Sequence, residues 1–219
     1  FIMAYRAGET MRLEDVDKLG IHPNAILDIG AHSGQFHSWA KRVWSDAGIF
    51  MIEANPLHES VLRNIANVNG DNYLIAAMGD KEREVTFYTR SDKPHTEGNS
   101  YYKENNYWDI PQLVQESKVT LQKLDNLFES DAVFEIIKVD TQGSEIDILK
   151  GGKDLVSRAQ AVILEVSFIP YNEGAPTDQE TIDYMNEIGF EERMSVGEHY
   201  DGDTIVQKDL IFTNKELVR

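Results

Sequence analysis

Apolar runs that alternate with longer amphipathic stretches constrain the fold of this chain more than any other feature of its sequence. Two runs, FEIIKVD at 134–140 and AVILEV at 161–166, are almost continuously apolar, which is typical of strands buried on both faces of a sheet. Strands that alternate with helical stretches predict β-α-β units. We therefore predict an α/β fold, with a mostly parallel sheet flanked by helices, over a single domain at 1–219.

The same patterns predict where the other elements lie. A helical lead-in is expected at 1–24, before the first strand. Residues 84–89 alternate polar and apolar side chains, which indicates an added strand with one wetter face. The other strands are predicted at 25–29, 48–53, 72–77, 192–196 and 210–213, and the helices at 35–45, 56–67, 145–157 and 177–188.

Residues 90–118 lack the alternation of strand and helix patterns seen in the rest of the chain, and they are predicted to form a long inserted loop. Pro94, Gly98 and Pro111 within it disfavour regular structure. Loops of this length inside a compact domain are usually functional. The loop is also rich in aromatic side chains, namely Tyr101, Tyr102, Tyr107 and Trp108. This aromatic cluster is predicted to form a wall for a bound ligand, with core packing or an oligomer contact as the alternative.

The charge of the chain limits the partners that it is expected to bind. Acidic residues number 38 against 21 basic ones, which gives a formal net charge of -17. A surface this negative repels phosphate backbones, so nucleic acid is not an expected partner. No stretch approaches the roughly 20 apolar residues that span a bilayer. The absence of cysteine and the polar first residues favour a cytoplasmic protein without a signal-peptide core.

The segment DIGAHSGQF at 28–36 joins the first predicted strand to the first helix through a turn with two glycines. Doubly wound sheets bind nucleotide-like ligands at such turns. The dinucleotide fingerprint G-x-G-x-x-G is absent, and Asp28 would oppose a pyrophosphate at the helix N-terminus. S-adenosylmethionine has no phosphate, and a carboxylate favours its ammonium and sulfonium groups. The turn therefore favours this cofactor over NAD, with a polar turn after a buried strand as the alternative.

Two further acids stand at the ends of predicted strands. Glu53 ends the second strand, where an acid can accept hydrogen bonds from ribose hydroxyls, although it could also be a solvated glutamate. Asp140 ends a buried strand, at the edge where α/β sites gather. It is predicted to face the methyl donor or the acceptor, with a helix cap as the alternative. Lys138 lies in the same apolar run, so its ammonium is expected to reach solvent or a carboxylate.

Three motifs, DIGAHSGQF, MIEANP and IIKVDTQGSEIDILKGG, resemble those of the FkbM family of S-adenosylmethionine-dependent methyltransferases. The resemblance extends over 25–214 and is most specific at 138–152. The chain departs from the family pattern at two positions. His32 stands where asparagine is usual, which could change how the turn holds the methionyl end of the cofactor. Gln142 stands where glutamate is usual, which removes one negative charge from the site.

The resemblance implies a Rossmann-like class I methyltransferase fold with a seven-stranded sheet, S-adenosylmethionine as the cofactor, and O-methylation as the activity. Members of the family act on sugars and natural-product hydroxyls, so the expected acceptor is a sugar, a glycan or a small natural product. The residues implied to contact the cofactor lie in the first turn (Asp28, Gly30, His32, Ser33, Gly34), at the ribose (Glu53, Asn55), at the adenine (Ala77, Met78), in a short element that closes over the cofactor (Asn99, Ser100) and at the transferred methyl (Asp140).

Asp140 is also the first candidate for the base that receives the proton of an acceptor hydroxyl. His95 and His199 are the alternatives, because histidine titrates near neutral pH and both lie in predicted loops. Glu165, near the end of a predicted strand, is expected either to position the acceptor or to be structural. The sequence shows no compact group of Asp, Asn or His residues with convincing ligand spacing, so no required metal is predicted.

Two functions from other classes remain open from the sequence. An NAD-dependent oxidoreductase could use the same sheet, but Asp28 and the missing third glycine argue against it. A catalytically silent cofactor-binding module is the other alternative, because a fold does not fix a function. The expected partner is a small-molecule or glycan acceptor, and assembly into a homo-oligomer is left open.

Overall fold

A seven-stranded sheet lies at the centre of the structure, a computed structural model that describes residues 11–92, 98–105, 111–169, 172–201 and 203–218. In chain order the strands are β1 (Ala25–Ile29), β2 (Gly48–Glu53), β3 (Asn72–Ile75), β4 (Ala77–Met78), β5 (Arg83–Arg90), β6 (Val114–Gln122), β7 (Ile136–Val139), β8 (Ala161–Ser167), β9 (Phe190–Asp201) and β10 (Thr204–Asn214). The central sheet has the order β3-β2-β1-β7-β8-β10-β9. Only β10 runs antiparallel to its neighbours, so the predicted mostly parallel sheet is confirmed.

Helices cover both faces of this sheet, as predicted. In chain order they are α1 (Leu13–Asp17), α2 (Gln35–Val43), α3 (Glu59–Asn69), α4 (Glu145–Gly151), α5 (Lys153–Val156) and α6 (Asp178–Glu187). Phe36 of α2 and Leu62 of α3 belong to the core on one face, and Leu149 of α4 and Met185 of α6 to the core on the other. In the described residues, none of the helices has the length and apolar character needed to cross a membrane.

The predicted helix at 145–157 is divided into α4 and α5 where Gly151 and Gly152 stand next to each other. A Cβ atom on Gly151 would lie 2.0 Å from the carbonyl oxygen of Gly79. A Cβ atom on Gly152 would lie 2.8 Å from Cβ of Leu124. The two glycines therefore allow this helical segment to pack directly against the chain that follows β4 and β6.

A second sheet, with the strand order β4-β6-β5, corrects two predictions. The loop predicted at 90–118 is wrong for 114–118, because β6 begins at Val114 and pairs antiparallel with β5. Most side chains of β6 are exposed, so its sequence VQESKVTLQ lacks the apolar pattern of a buried strand. The strand predicted at 72–77 is divided between the two sheets, as β3 and β4. Residues 93–97 and 106–110 of the predicted loop lie outside the described residues, and with them Pro94, His95, Tyr107 and Trp108.

A buried carboxylate ties α2 to the neighbouring strand β2. Asp71 follows α3, and its side chain is only 2% exposed. It accepts a hydrogen bond from the N–H of Ile49 (2.9 Å) and contacts Nε2 of His37 (2.7 Å) and Nζ of Lys41 (3.1 Å). Burial alone raises the pKa of Asp71, but these three donors hold it below its ordinary value of 3.8. The ionised carboxylate therefore stabilises the folded state at neutral pH.

Asp71→Asn is expected to lower the free energy of unfolding by about 2 kcal/mol at neutral pH, because His37 and Lys41 lose their anionic partner. Since the folded pKa is lowered, this stabilisation is present above 3.8 and is lost as pH falls through the folded value. Urea unfolding at neutral pH and at about pH 3 measures both effects. The control Glu191→Gln breaks an exposed ion pair with Arg193 and should change stability by less than about 0.5 kcal/mol. Equal losses in the two variants would contradict the role of Asp71.

Candidate active site

A cavity of about 650 Å³ lies at the carboxyl ends of the parallel strands. Doubly wound sheets bind their ligands at this edge, and ligand pockets commonly have volumes of about 300–1,000 Å³. The cavity extends across the sheet from β2 and β1, past β7, to β8, β10 and β9. In that order, the acidic and imidazole side chains in its wall are those of Glu53, His32, Asp140, Glu165, Asp209, Glu198 and His199.

The two glycines of the first turn have different structural roles. Gly30 has φ +79°, and a Cβ atom there would lie 1.8 Å from the carbonyl oxygen of Asp140. Gly30 lines the cavity and allows the turn after β1 to contact the turn after β7. Gly34 has φ +81°, and a Cβ atom there would lie 2.3 Å from Cδ1 of Ile65 in α3. Gly34 therefore serves helix packing and lies outside the cavity wall.

His32 and Gln142 are the non-glycine residues with positive φ in the described part of the chain, at 48° and 56°. Both line the cavity, and they are the two positions at which the sequence departs from the FkbM pattern. Asparagine and histidine are both enriched in the left-handed region. His32 therefore preserves the turn and adds an imidazole to the cavity wall, where its ring packs against His58 with centroids 4.1 Å apart.

Glu53 ends β2 with a carboxylate that two backbone amides orient. Its Oε2 accepts a hydrogen bond from the N–H of His32 (2.8 Å), and its Oε1 accepts one from the N–H of Asn55 (2.7 Å). Burial raises the pKa of Glu53, whereas these two N–H groups act in the opposite direction. Each carboxylate oxygen can accept a further hydrogen bond. Because Glu53 lines the cavity, it can receive the two hydroxyls of a ligand diol.

Lys138 is the centre of a buried group of charges. Its Nζ lies 3.4 Å from Oδ1 of Asp28, 3.1 Å from Oδ2 of Asp140 and 3.2 Å from the carbonyl oxygen of Gly30. Burial lowers the pKa of Lys138, but the charges of Asp140 and Asp28 raise it above its ordinary value. Asp28 is fully buried, and burial raises its pKa. Asp28, which was predicted to contact the cofactor, is the register partner of Lys138 on β7, forms an ion pair with it and lies outside the cavity wall.

The other predicted cofactor residues divide into two groups. Those that line the cavity are Ala77, Met78, Asn99 and Ser100. The Ser100 hydroxyl donates to the carbonyl oxygen of Thr141 (3.1 Å), which joins the segment after β5 to the turn after β7. Ser33 and Asn55 lie outside the cavity wall. The side chain of Asn55 instead accepts a hydrogen bond from the N–H of Leu57 (3.1 Å) and caps the short 3₁₀ helix that precedes α3.

The described part of the predicted aromatic wall is a pair of tyrosines. Tyr101 lines the cavity, and its ring centroid is 5.0 Å from that of Tyr102. Both hydroxyls donate to Oδ2 of Asp147, at 3.2 Å and 3.0 Å. Burial and the charge of Asp147 raise the pKa of both phenols. The two tyrosines therefore remain neutral, and Tyr101 offers a fixed aromatic surface to the cavity.

A group of polar side chains that we call the β8–β10 cluster comprises Glu165, His199 and Asp209. Glu165 and Asp209 are register partners on adjacent antiparallel strands. His199 was predicted to lie in a loop, but it belongs to β9, and its Nε2 is 3.6 Å from Oδ2 of Asp209. Asp209 was not predicted as a site residue, because its only local signal in the sequence is one acid in the run KDLIF. No required metal was predicted either, whereas the side chains of Glu165, His199 and Asp209 could hold a metal ion. His95 lies outside the described residues.

Comparison with known proteins supports the resemblance seen in the motifs. A family model described as the methyltransferase FkbM domain matches residues 28–192, which is well over half of the chain. No curated protein gives a significant match to the sequence. Among solved structures, the methyltransferase FkbM from Methylobacillus flagellatus KT superposes with a TM-score of 0.55 at 15% identity. The match covers 86% of this chain and 43% of that one, so this chain spans less than half of the Methylobacillus protein.

Two further solved structures share the fold at lower identity. The magnesium protoporphyrin IX methyltransferase from Synechocystis PCC 6803, with bound S-adenosylmethionine, has a TM-score of 0.53 and 10% identity, over 91% of this chain and 74% of that one. An S-adenosylmethionine-dependent methyltransferase from Clostridium acetobutylicum ATCC 824 has a TM-score of 0.55 and 8% identity, over 92% and 88%. At these identities the likeness concerns the fold. With the match to the family model, it shows that this chain belongs to the FkbM methyltransferase family and has the class I methyltransferase fold.

Proposed function

We propose that this chain transfers a methyl group from S-adenosylmethionine to a hydroxyl oxygen of a sugar, a glycan or a small natural product, and that residues 1–219 act as one methyltransferase domain. The observation that carries the proposal is the position of Glu53. Its carboxylate stands at the end of β2, is oriented by two backbone amides and lines a cavity large enough for a nucleoside. Family membership supplies the reaction class.

S-adenosylmethionine is the cofactor of this methyltransferase, and the residues present fit it. Glu53 would accept hydrogen bonds from the ribose hydroxyls, and the apolar side chains of Ala77 and Met78 would contact the adenine. His32 and Gly30 would hold the methionyl end. The carboxylates near this end suit a ligand that carries an ammonium and a sulfonium. The Synechocystis enzyme with the same fold contains this cofactor, which supports the assignment.

Asp140 is our candidate for the residue that receives the proton. Bound S-adenosylmethionine supplies a methyl group on a positively charged sulfur, so an acceptor hydroxyl that gains this methyl group must lose its proton. Asp140 lies between Glu53 and the β8–β10 cluster along the cavity. Its Oδ2 is held by Lys138 at 3.1 Å, which fixes its direction. A carboxylate can act as a general base towards a hydroxyl within hydrogen-bond reach. His199 is the alternative base.

The half of the cavity opposite Glu53 supports a hydroxylated acceptor. The β8–β10 cluster and Gln142 line this half, and they offer several polar groups to a ligand with many hydroxyls. Tyr101 adds an aromatic surface, against which the apolar face of a sugar ring can pack. A purely apolar acceptor would leave these buried polar groups without partners, at a cost in binding free energy. The arrangement therefore favours sugars and other polyhydroxylated molecules.

The first experiment is a calorimetric titration of the full chain with S-adenosylhomocysteine, with NAD as a parallel titration. Glu53 could also receive the ribose of NAD, so the second titration tests the oxidoreductase alternative. We expect saturable binding of S-adenosylhomocysteine with one site per chain, and no saturable binding of NAD. A screen of hydroxylated acceptors for methyl transfer follows. Binding without transfer to any of them would favour the silent cofactor-binding module, and binding of NAD alone would contradict the proposal.

A further inference from the structure

Three side chains from three strands converge at one point of the β8–β10 cluster. Nε2 of His199 lies 3.6 Å from Oδ2 of Asp209 and 3.9 Å from Oε1 of Glu165. One nitrogen or oxygen atom from each residue lies within 4.8 Å of those of the other two. An imidazole and two carboxylates at this separation form a mixed nitrogen and oxygen ligand set, which several divalent first-row cations accept. The group faces the cavity and is accessible to a ligand.

Asp209 faces the same point from β10. Its side chain is only 9% exposed, and its Oδ2 forms an ion pair with Nε2 of His199, at 3.6 Å. Gly197, opposite it on β9, has no side chain, and a Cβ atom there would lie 2.2 Å from Oδ2 of Asp209. The glycine thus provides the space that this carboxylate occupies. Buried carboxylates are costly unless they are compensated, and here one imidazole faces the carboxylates of both Asp209 and Glu165.

Glu165 is held in an orientation that suits a ligand to a cation. Its Oε2 accepts hydrogen bonds from Nε2 of Gln142 (2.5 Å) and Nε2 of Gln207 (3.0 Å), and its Oε1 points towards His199. Hydrogen bonds of this kind commonly orient the ligands of metal ions. The carboxylates of Asp140 and Asp209 line the same cavity, so this part of its wall is rich in carboxylate groups.

We propose that Glu165, His199 and Asp209 bind one divalent cation in the half of the cavity that takes the acceptor. The role of this cation rests on the proposed function, whereas its binding does not. A divalent cation at this point polarises an acceptor hydroxyl and weakens its O–H bond. When that bond breaks, the proton forms a new O–H bond on Asp140. The acceptor oxygen keeps the electron pair, with which it bonds to the methyl carbon as the carbon–sulfur bond breaks.

The test is a titration of the cofactor-free full chain with Mn²⁺, in which electron paramagnetic resonance measures the free ion. We expect one Mn²⁺ per chain, with a dissociation constant in the micromolar range. Glu165→Gln and Asp209→Asn should each weaken binding about tenfold or more. The matched control is Glu192→Gln, which removes one charge from an exposed position on the same strand as His199 and should leave binding unchanged. Circular dichroism checks that each variant is folded.

Two outcomes would overturn the proposal. The first is the absence of saturable binding with one ion per chain. The second is binding that neither variant weakens, which would place the ion elsewhere on the acidic surface. Pulsed electron paramagnetic resonance of the wild-type chain gives a readout that needs no variant. Coupling between Mn²⁺ and an imidazole nitrogen is expected, and its absence would also overturn the proposal. Binding of Mn²⁺ but not of S-adenosylhomocysteine would count against the proposed function and leave the cation site intact.

Discussion

Lys138→Met is expected to lower the free energy of unfolding by about 4 kcal/mol at neutral to alkaline pH, the largest effect on stability that we predict. Methionine fills a similar volume but removes the ammonium that lies 3.4 Å from Asp28 and 3.1 Å from Asp140. Asp140 is partly exposed and can be hydrated, whereas Asp28 is fully buried. An uncompensated charge in the interior is strongly destabilising. The loss therefore comes mainly from Asp28.

The pH dependence of this loss identifies its cause. Burial raises the pKa of Asp28 in the folded state, and without Lys138 it should rise further. A carboxyl with a raised folded pKa destabilises the fold increasingly as pH rises above its ordinary value of 3.8. The deficit of Lys138→Met should therefore be smaller at about pH 5 than at about pH 8. Urea unfolding at both values measures the difference.

A second substitution tests whether the charge of Asp28 is responsible. Asp28→Asn in the Lys138→Met background should restore at least half of the lost free energy, because replacing both members of a buried ion pair is often nearly neutral. Lys81→Met serves as the control, since that lysine is 67% exposed and should contribute less than about 0.5 kcal/mol. A deficit that is independent of pH, or that Asp28→Asn leaves unchanged, would contradict the explanation.

The sequence predicted the parallel strands well, because the physics that forms them is local. The strands predicted at 25–29 and 48–53 coincide with β1 and β2. Each is a short apolar run that is followed by residues typical of turns. The strand β6 was missed, because pairing with β4 and β5 stabilises it and most of its side chains remain exposed. A strand of that kind has no apolar pattern of its own. Its existence depends on the rest of the fold.

The residues of the candidate site also differ in whether local sequence is enough to predict them. Glu53 and Asp140 were predictable, because the carboxyl ends of parallel strands meet at one edge of the sheet. The direction of Asp28 was not, because it depends on the register of β1 with β7, which places Asp28 beside Lys138. The β8–β10 cluster was not predictable either. Asp209 lies on β10, and Glu165 and His199 lie on the two strands that pair antiparallel with it, in a register that no spacing in the sequence reveals.

Glu53→Gln is expected to weaken the binding of S-adenosylhomocysteine about 50-fold, since hydrogen bonds to a charged group contribute about 1.5–3 kcal/mol. In the wild-type chain each carboxylate oxygen already accepts one backbone N–H, from His32 or from Asn55. Glutamine replaces one of these oxygens with an NH₂ group, which cannot accept a hydrogen bond and would face an N–H donor. The ribose thus loses an acceptor, and one backbone amide loses its partner. Calorimetric titration measures the change.

A thermodynamic cycle distinguishes a direct contact of Glu53 with the ribose from a role of Glu53 in holding the loops at His32 and Asn55. The cycle uses S-adenosylhomocysteine and an analogue that lacks both ribose hydroxyls, each titrated against the wild-type chain and the Glu53 variant. If Glu53 binds the ribose, the wild-type chain discriminates strongly between the two ligands, and the variant loses most of that discrimination. If Glu53 only holds the loops at His32 and Asn55, the variant should bind both ligands more weakly by the same factor. The second result would contradict the assignment of Glu53.

The control for charge alone is Glu59→Gln, a few residues further along the chain. Glu59 forms an exposed ion pair with Arg63 on α3 and lies outside the cavity wall. Its substitution removes the same charge from the same region, and a surface charge there should alter ligand affinity less than about twofold. If both variants weakened binding equally, the effect of Glu53 would be long-range electrostatics. A selective loss in Glu53→Gln, confined to the ligand with ribose hydroxyls, requires a direct hydrogen bond, because only a contact at short range can distinguish the two ligands.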